Sequence, residues 1–274
     1  MRSFLEIYNL ASATPRVVLA TDRHIEAPNW DPSGETLLVN GEGRLFRVPL
    51  ADPSLIPVET GVAIKLNNDH GISPDGRQIV ISSHHEGQGS QIYLLPAAGG
   101  EPVKISPEAP SWWHGWSPDG RTIAYVAARG EKKVIDVYTL PLGGAETRLT
   151  MGEGHCDGPD YSADGRHIYY NCDRDGHAQI WTMGANGTNQ RKLFEDNYVN
   201  WFPHPSPDGQ HLLYLAYPPG TLGHPANLPV GLCLCSPKGE NRRRVLEFTG
   251  GQGTMNVPNW APDSSAFAYV RYEL

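Results

Sequence analysis

The chain has 274 residues, including 30 glycines and 24 prolines, with 19% charged side chains and a net charge of −8. This composition is typical of a turn-rich globular protein and excludes a disordered chain. The negative charge argues against a nucleic-acid backbone or an anionic membrane as the main partner. The sequence also contains no run of 18 or more apolar residues that could span a bilayer.

The chain begins with two predicted strands, residues 5–10 and 16–20, around a short polar turn. A turn motif then recurs, typified by Ser117-Pro118-Asp119-Gly120, and an apolar strand follows each copy. Pro sets the first corner, Asp suits the second, and Gly adopts the left-handed conformation that sends the next strand back. Copies begin at residues 31, 73, 117, 162, 206 and, in degraded form, 261, so the steps are 42, 44, 45, 44 and 55 residues. This period predicts a repeat architecture.

Each repeat predicts four short strands, and an insertion at residues 218–229 accounts for most of the long last step. The chain ends on two predicted strands, residues 257–260 and 266–270. Together with the two N-terminal strands they complete one four-stranded sheet. We therefore predict an all-β, six-bladed β-propeller of four-stranded antiparallel blades, closed by the N-terminal strands. It is predicted to be a single domain, residues 1–274, with its last blade formed from about residues 255–274 plus 1–20. An open solenoid would instead leave half-blades exposed at both ends.

The unit Trp116-Ser117-Pro118-Asp119-Gly120-Arg121, the strand at residues 179–183 and the turn to residues 190–193 resemble the WD40-like (PD40) repeats of TolB-like β-propellers. The resemblance covers essentially the whole chain and implies the fold, which hosts binders, scaffolds and enzymes alike. Tol-system members are periplasmic and carry an additional N-terminal domain. Glu6 and Asn9 interrupt the apolar stretch at the start of this chain. We therefore expect a cytoplasmic protein, or a periplasmic one if a leader has been removed.

Nine of the eleven histidines fall in segments that propeller topology places at the rim opposite the turns. Five of them precede or lie in the first strand of a repeat, beside the expected central channel: His24, His70, His114, His155 and His204. Four lie between second and third strands: His84, His85, His177 and His224. The same segments contain Asp69, Glu86, Trp112, Asp173 and Asp175. Imidazole suits both metal ligation and proton transfer near neutral pH, although each histidine alone could equally be a hydrogen-bonded loop residue.

We therefore predict a site at this rim, near the central channel. Its catalytic candidates are His70, His114, His155, Arg129 and Arg174. Its metal-ligand candidates are His70, His114, His155 and His204, for a divalent ion such as Mn, Zn or Ca. Its ligand-binding candidates are Trp113, Trp201, Asp157, Asp160, His224, Asn256 and Asn259. No phosphate loop or dinucleotide fingerprint occurs, so no nucleotide cofactor is expected.

The stretch Phe202-Pro203-His204-Pro205-Ser206 is similar to a His-Pro-His-Pro-Ser stretch of oligogalacturonate lyases, which are seven-bladed relatives with a manganese site. That family takes ligands from a Gln-x-x-His-x-His pattern at this point. The corresponding positions here are Val199, Phe202 and His204. Only the last ligand type is kept, so the resemblance does not transfer the family's metal site intact.

Two functions stay open. The first is a carbohydrate-active, lyase-like enzyme for a sugar acid or oligosaccharide, with a metal or Arg stabilising the developing anion and His as base. The alternative is a non-catalytic scaffold that binds a protein or peptide on the same face, with no nucleic-acid or membrane partner in either case. The insertion with His224 would be a lid in the first case and a docking loop in the second. The four cysteines are expected to be reduced core thiols.

Overall fold

The structure, a computed structural model, describes residues 1–85, 87 and 89–274. Glu86, one of the candidate acids, and the side chain of His85 lie outside the described part. All regular secondary structure in the described residues is β-strand, and no helix there is long and apolar enough to cross a membrane. The strands form six antiparallel sheets, which confirms the predicted six-bladed β-propeller.

Three blades lie in a first compact unit, residues 1–113 and 252–274. One blade consists of β1 (Arg2–Asn9), β2 (Thr14–Thr21) and the last strand, β23 (Ala266–Glu273). The next consists of β3 (Glu26–Trp30), β4 (Thr36–Gly41), β5 (Arg44–Pro49) and β6 (Ile56–Val58). The third consists of β7 (Leu66–Ile72), β8 (Gln78–His85), β9 (Gly89–Pro96) and β10 (Val103–Lys104).

The second compact unit, residues 114–251, holds most of the fourth blade and all of the last two. The fourth blade consists of β11 (Ser111–Trp116), β12 (Thr122–Ala128), β13 (Ile135–Pro141) and β14 (Thr147–Arg148). The fifth consists of β15 (Cys156–Tyr161), β16 (His167–Cys172), β17 (Gln179–Gly184) and β18 (Arg191–Lys192). The sixth consists of β19 (Val199–Pro205), β20 (Leu212–Tyr217), β21 (Ala226–Cys235) and β22 (Arg243–Gly251).

The N-terminal strands complete the C-terminal blade, as predicted. β1 pairs with β23 along its whole length, from Arg2↔Glu273 to Asn9↔Ala266. The predicted strand at residues 257–260 is wrong, because only Trp260 makes an isolated bridge, to Phe267. Pro258 in this segment has no N–H to donate to a ladder. Asn259 still bonds β23 through both backbone and side chain: its carbonyl accepts from the Ala268 N–H at 2.9 Å, and its Nδ2 donates to the Ala268 carbonyl at 2.6 Å.

The recurring turn is held by side-chain hydrogen bonds. Ser117 Oγ accepts from the backbone N–H of Thr122 at 2.9 Å and donates to Asp119 Oδ1 at 2.6 Å. Asp119 Oδ1 also accepts from the Arg121 N–H at 3.0 Å, and Gly120 takes a φ of 66°. The copies at residues 73, 162 and 206 repeat these contacts. The motif is therefore a structural corner, as its residue types indicate.

A β-bulge interrupts the first strand of several blades. The pairing register shifts between Glu26 and Asn29, between Asp157 and Asp160, and between Trp201 and His204. In each of these bulges the second residue has a left-handed backbone: φ is 52° at Ala27, 59° at Gly158 and 53° at Phe202. A proline follows each of them. Because a bulge re-aims the side chains that flank it, these strands can direct polar groups away from the regular alternation.

The expectation of four reduced thiols is wrong for one pair. Cys156 and Cys172 form a disulfide, whereas Cys233 and Cys235 are free and buried. The two bonded cysteines are 16 residues apart in the chain, so their spacing gives no hint of pairing. The antiparallel register of β15 and β16 places them directly opposite each other.

Candidate metal centre

Asp157 is the centre of a group of three histidines in the second unit. Its Oδ1 lies 3.0 Å from His114 Nε2, and its Oδ2 lies 3.2 Å from His155 Nε2. His224 Nε2 approaches the same Oδ2 at 3.7 Å. The four side chains come from β11, the start of β15 and the loop between β20 and β21. They are therefore assembled by tertiary structure.

Local structure explains the position of His155 and Asp157. His155 directly precedes β15 and Asp157 is the second residue of that strand, and alternate residues of an extended chain point to the same face. The His155 N–H donates to Asp173 Oδ1 at 2.7 Å, which fixes the entry to the strand. On the other side, the N–H of Gly158 donates to Asp157 Oδ1 at 2.7 Å. A Cβ at Gly158 would lie 2.8 Å from Asn171 Oδ1, so glycine is needed beside the acid.

His224 is delivered by the insertion. β21 begins at Ala226, earlier than predicted, so the loop spans residues 218–225. Tyr217 donates from its hydroxyl to the Pro225 carbonyl at 3.1 Å and ties the base of the loop. The His224 ring packs edge-on against Trp201, with ring centroids 4.5 Å apart, and against Phe202 at 5.2 Å. The insertion therefore folds back onto the site.

The electrostatics of the group favour a charged Asp157. Burial raises its pKa, but hydrogen bonds with His114 and His155 outweigh burial and hold the pKa well below its ordinary value. Burial lowers the pKa of His155, yet the neighbouring Asp157 and Asp173 carboxylates reverse the effect and raise it overall. For His224 burial prevails and the pKa is lowered. Asp157 is thus a permanent negative charge among imidazoles near neutral pH.

His155, Asp157 and His224 fit a divalent metal ion. Their ligand atoms lie within 4.8 Å of one another. Ligand bonds of about 2.0–2.2 Å to one ion place two ligand atoms roughly 3–4.3 Å apart, and the two Oδ2 distances fall in that range. His155 is 32% exposed and His224 20% exposed, so solvent or a substrate can reach the group. His114, only 4% exposed, contacts the other carboxylate oxygen, Asp157 Oδ1, on the buried side of the group.

His204, predicted as a metal ligand, occupies a different environment in the second unit. Its Nδ1 lies 3.0 Å from Asp160 Oδ2, and the His204 side chain is fully buried. Burial raises the pKa of Asp160, although His204 acts against it. The other carboxylate oxygen, Oδ1, accepts from the Tyr161 N–H at 2.9 Å. These contacts describe a buried acid–imidazole pair.

The two arginine candidates are engaged in ion pairs. Arg129 contacts Glu146, with Nη2 3.1 Å from Oε2. Arg174 pairs with Glu153 and donates to Gln190 Oε1 at 3.0 Å, and its guanidinium lies 3.7 Å from the centroid of the Trp181 ring. Both guanidinium groups therefore make contacts within their own blades.

Four further candidates lie in the first unit. His70 is completely buried, and burial lowers its pKa to about 4 against the opposing effect of the Leu38 and Ala27 carbonyls. The buried Trp113 ring fills the space above Gly71, where a Cβ would overlap it. Asn256 accepts from the Gly253 N–H at 2.7 Å, and Asn259 bridges to Ala268. The two asparagines thus hold backbone groups of this unit, whereas neither ring nitrogen of His70 has a hydrogen-bond partner among the described residues.

Sequence reasoning named every member of the Asp157 group but distributed the roles differently. Asp157 and His224 are predicted to bind ligand, and the structure brings their ligand atoms within 4.8 Å of each other and of His155, close enough for all three to reach one ion. The spacing His155-x-Asp157 in a strand was a usable signal, since it puts both side chains on one face. Nothing in the sequence links His224 to them, because the insertion brings it there.

Comparisons with known proteins give the family context. A family model of the TolB β-propeller domain (PD40) matches residues 109–223. The Agrobacterium fabrum protein Atu1656, described as uncharacterized, is 48% identical over 274 residues, which cover 99% of this chain and 93% of that protein. A solved structure from Agrobacterium tumefaciens that carries the provisional name TolB has a TM-score of 0.98 at 48% identity, and covers 100% of this chain and 99% of that one. An oligogalacturonate lyase in complex with manganese has a TM-score of 0.57 at 14% identity, covering 90% of this chain and 74% of that one, and shares the fold.

Proposed function

The chain belongs to the TolB-like β-propeller family, and we propose that it is a carbohydrate-active, lyase-like enzyme that uses a divalent metal ion. The ligands are His155, Asp157 and His224. The observation that carries the proposal is the convergence of two partly exposed imidazoles on one charged carboxylate. Two imidazoles and one carboxylate are a ligand set that suits divalent transition metals and leaves positions open for substrate.

The residues around the ion have separate tasks in this proposal. A bound divalent ion would polarise a substrate carboxylate and stabilise negative charge that develops beside it. His114 keeps Asp157 Oδ1 engaged, so that Oδ2 faces His155 and His224. Trp201 is only 2% exposed and forms the wall behind His224. Its ring is thus a boundary of the site and offers no free face for stacking on a sugar.

The substrate class is a sugar acid or an oligosaccharide that contains one. Its support is the shared fold with an oligogalacturonate lyase in complex with manganese, together with a metal site of the kind that attracts carboxylates. The ligands differ from the pattern expected from that family, since Phe202 stands where a histidine would be needed. The chemistry is therefore proposed from the Asp157 group, and the substrate class from the likeness.

Elemental analysis tests the metal and an assay tests the reaction. We expect purified protein loaded with Zn²⁺, which two imidazoles and a carboxylate suit, to retain one ion per chain at the Asp157 group, and Asp157→Asn to lose it. His167→Asn, which changes an exposed histidine of the same unit, is the matched control and should retain it. With metal bound, the wild type should release unsaturated products from oligogalacturonides, and Asp157→Asn should not. Retention of the ion by Asp157→Asn would contradict the metal site, and a loaded but inactive wild type would contradict the substrate class.

The tip of the insertion supports the alternative of a protein or peptide partner. Leu222 is 92% exposed and stands two residues before His224, where an apolar side chain can anchor a partner. In that case Leu222→Ser should weaken the binding of a purified partner without changing metal content. Metal-free protein whose melting temperature does not respond to Mn²⁺, Zn²⁺ or Ca²⁺ would favour this alternative over the enzyme.

A further inference from the structure

A partly buried acid, Glu26, lies in the first unit. Its side chain, in β3, is 18% exposed. The basic side chain beside it is His24, whose Nε2 lies 3.9 Å from Glu26 Oε1. Asn40 Nδ2 donates to Oε2 at 3.1 Å. Burial raises the pKa of Glu26 more than His24 and the side-chain amides lower it. Burial therefore disfavours the charged carboxylate, and a cation beside it would stabilise that form.

Glu26 occupies in its blade the position that Asp157 occupies in the fifth. Each acid pairs in register with an asparagine of the next strand, Glu26 with Asn40 and Asp157 with Asn171. Each has a histidine two residues earlier, and each precedes a left-handed residue and a proline. The first unit therefore repeats the local frame from which the second unit builds its metal group.

The side-chain amide of Asn40 also points to a bound ligand. Asn40 is 1% exposed, and its Oδ1 has no hydrogen-bond partner among the described residues. This oxygen belongs to the same amide whose nitrogen binds Glu26, so an unused acceptor lies beside the carboxylate. A buried acceptor without a donor is unfavourable, and a bound donor or ion would remove that cost.

The backbone closes tightly around the acid. A Cβ at Gly253 would lie 2.6 Å from Glu26 Oε1 and 2.7 Å from the Tyr272 hydroxyl. Gly253, with a φ of 92°, therefore lets the chain pass close to the carboxylate. The result is a narrow cradle of oxygen acceptors that is open to solvent through His24, which is 36% exposed.

We propose that Glu26, Asn40 and His24 form a second cation site, in the first unit, for a divalent metal ion or a primary ammonium group. Both cations require what the cradle offers, a negative charge and oxygen acceptors. Compared with the ligands His155, Asp157 and His224, the set has one imidazole fewer and an amide oxygen more. Oxygen-rich sets suit Mn²⁺, Mg²⁺ and Ca²⁺ better than Zn²⁺, so Mn²⁺ is the metal to try first. The site does not depend on the proposed function.

Calorimetric titration of the full chain with Mn²⁺, and separately with methylammonium, tests this site. Asp157→Asn removes the contribution of the other group, and we expect this variant still to bind one of the two probes. Adding Glu26→Gln should weaken that binding at least about tenfold, because the isosteric amide lacks the charge. Glu42→Gln, the same change at an exposed acid of the first unit (56% exposed), is the matched control and should leave binding unchanged.

His24→Gln provides a second variant at a more exposed position and should weaken the same binding. Binding of Mn²⁺ would identify the site as a metal site, and binding of methylammonium would identify it as a site for a primary ammonium group. If Asp157→Asn binds neither probe, or if Glu26→Gln or His24→Gln leaves the residual binding intact, the proposal is overturned and Asn40 is satisfied by water alone. Loss of metal from Asp157→Asn bears on the proposed function only.

Discussion

His114 Nε2 lies 3.0 Å from Asp157 Oδ1, and the two residues come from the first strands of consecutive blades. His114 is almost fully buried, whereas His155 and His224 are partly exposed on the other carboxylate oxygen. This arrangement makes His114 a positioning residue for Asp157. Groups that orient a metal ligand in this way typically change metal affinity about 10- to 100-fold when removed.

The first prediction concerns that positioning. His114→Asn should weaken Zn²⁺ binding by about 10- to 100-fold, because Asp157 Oδ1 loses its partner and the carboxylate can rotate. Metal titration of the folded variant is the measurement, with His167→Asn as the control. An unchanged affinity would show that the Gly158 N–H alone suffices to orient the carboxylate.

Gly158 gives the second prediction. Gly158→Ala forces a Cβ to within 2.8 Å of Asn171 Oδ1 and 3.0 Å of the Phe202 ring, at a φ of 59°. We expect a loss of about 1–3 kcal/mol in the free energy of unfolding and weaker metal binding by the adjacent Asp157. Gly130→Ala is the control, because its φ is 67° but no atom lies within 4 Å of the added Cβ. Equal losses in the two variants would mean that backbone strain, and not contact with Asn171, dominates.

The third prediction concerns the turns at low pH. The hydrogen bond from Ser117 and the N–H of Arg121 lower the pKa of Asp119. A depressed pKa in the folded state means that the stabilisation is complete above the unfolded value of about 3.9 and is lost as the pH falls through the folded value. The melting temperature of the wild type should therefore fall more steeply below about pH 4 than that of Asp119→Asn. Parallel curves would show that Asp119 titrates alike in both states.

A fourth prediction follows from the Cys156–Cys172 bond. A cross-link that closes a loop of this length typically contributes about 3 kcal/mol to the free energy of unfolding. Reduction, or a Cys156→Ser and Cys172→Ser double variant, should lower the urea midpoint accordingly. Cys233→Ser, which changes a free buried cysteine and keeps the bond, is the control and should lose as much stability on reduction as the wild type does. A wild type indifferent to reductant would contradict the bond's contribution.

The repeat explains why the fold was predictable. Ser117, Asp119 and Gly120 form their turn through contacts within six residues, so their identities carry the structure. Counting the copies then gave the number of blades, and the surplus strands at the two termini gave their pairing. The segment at residues 257–260 was mispredicted because its apolar pattern is typical of a strand, whereas Pro258 has no N–H to donate and only Trp260 forms a bridge, to Phe267.

The sequence by itself determined the six-bladed propeller, its corners and the candidacy of Asp157, His155, His114 and His224. Only the tertiary structure decided that these four meet, that His204 is buried against Asp160, and that Cys156 faces Cys172. The physical reason is range. Turn chemistry and strand alternation act between near neighbours and can be read along the chain, whereas the site depends on bulges, an insertion and the packing of separate blades, which bring together residues up to 110 positions apart.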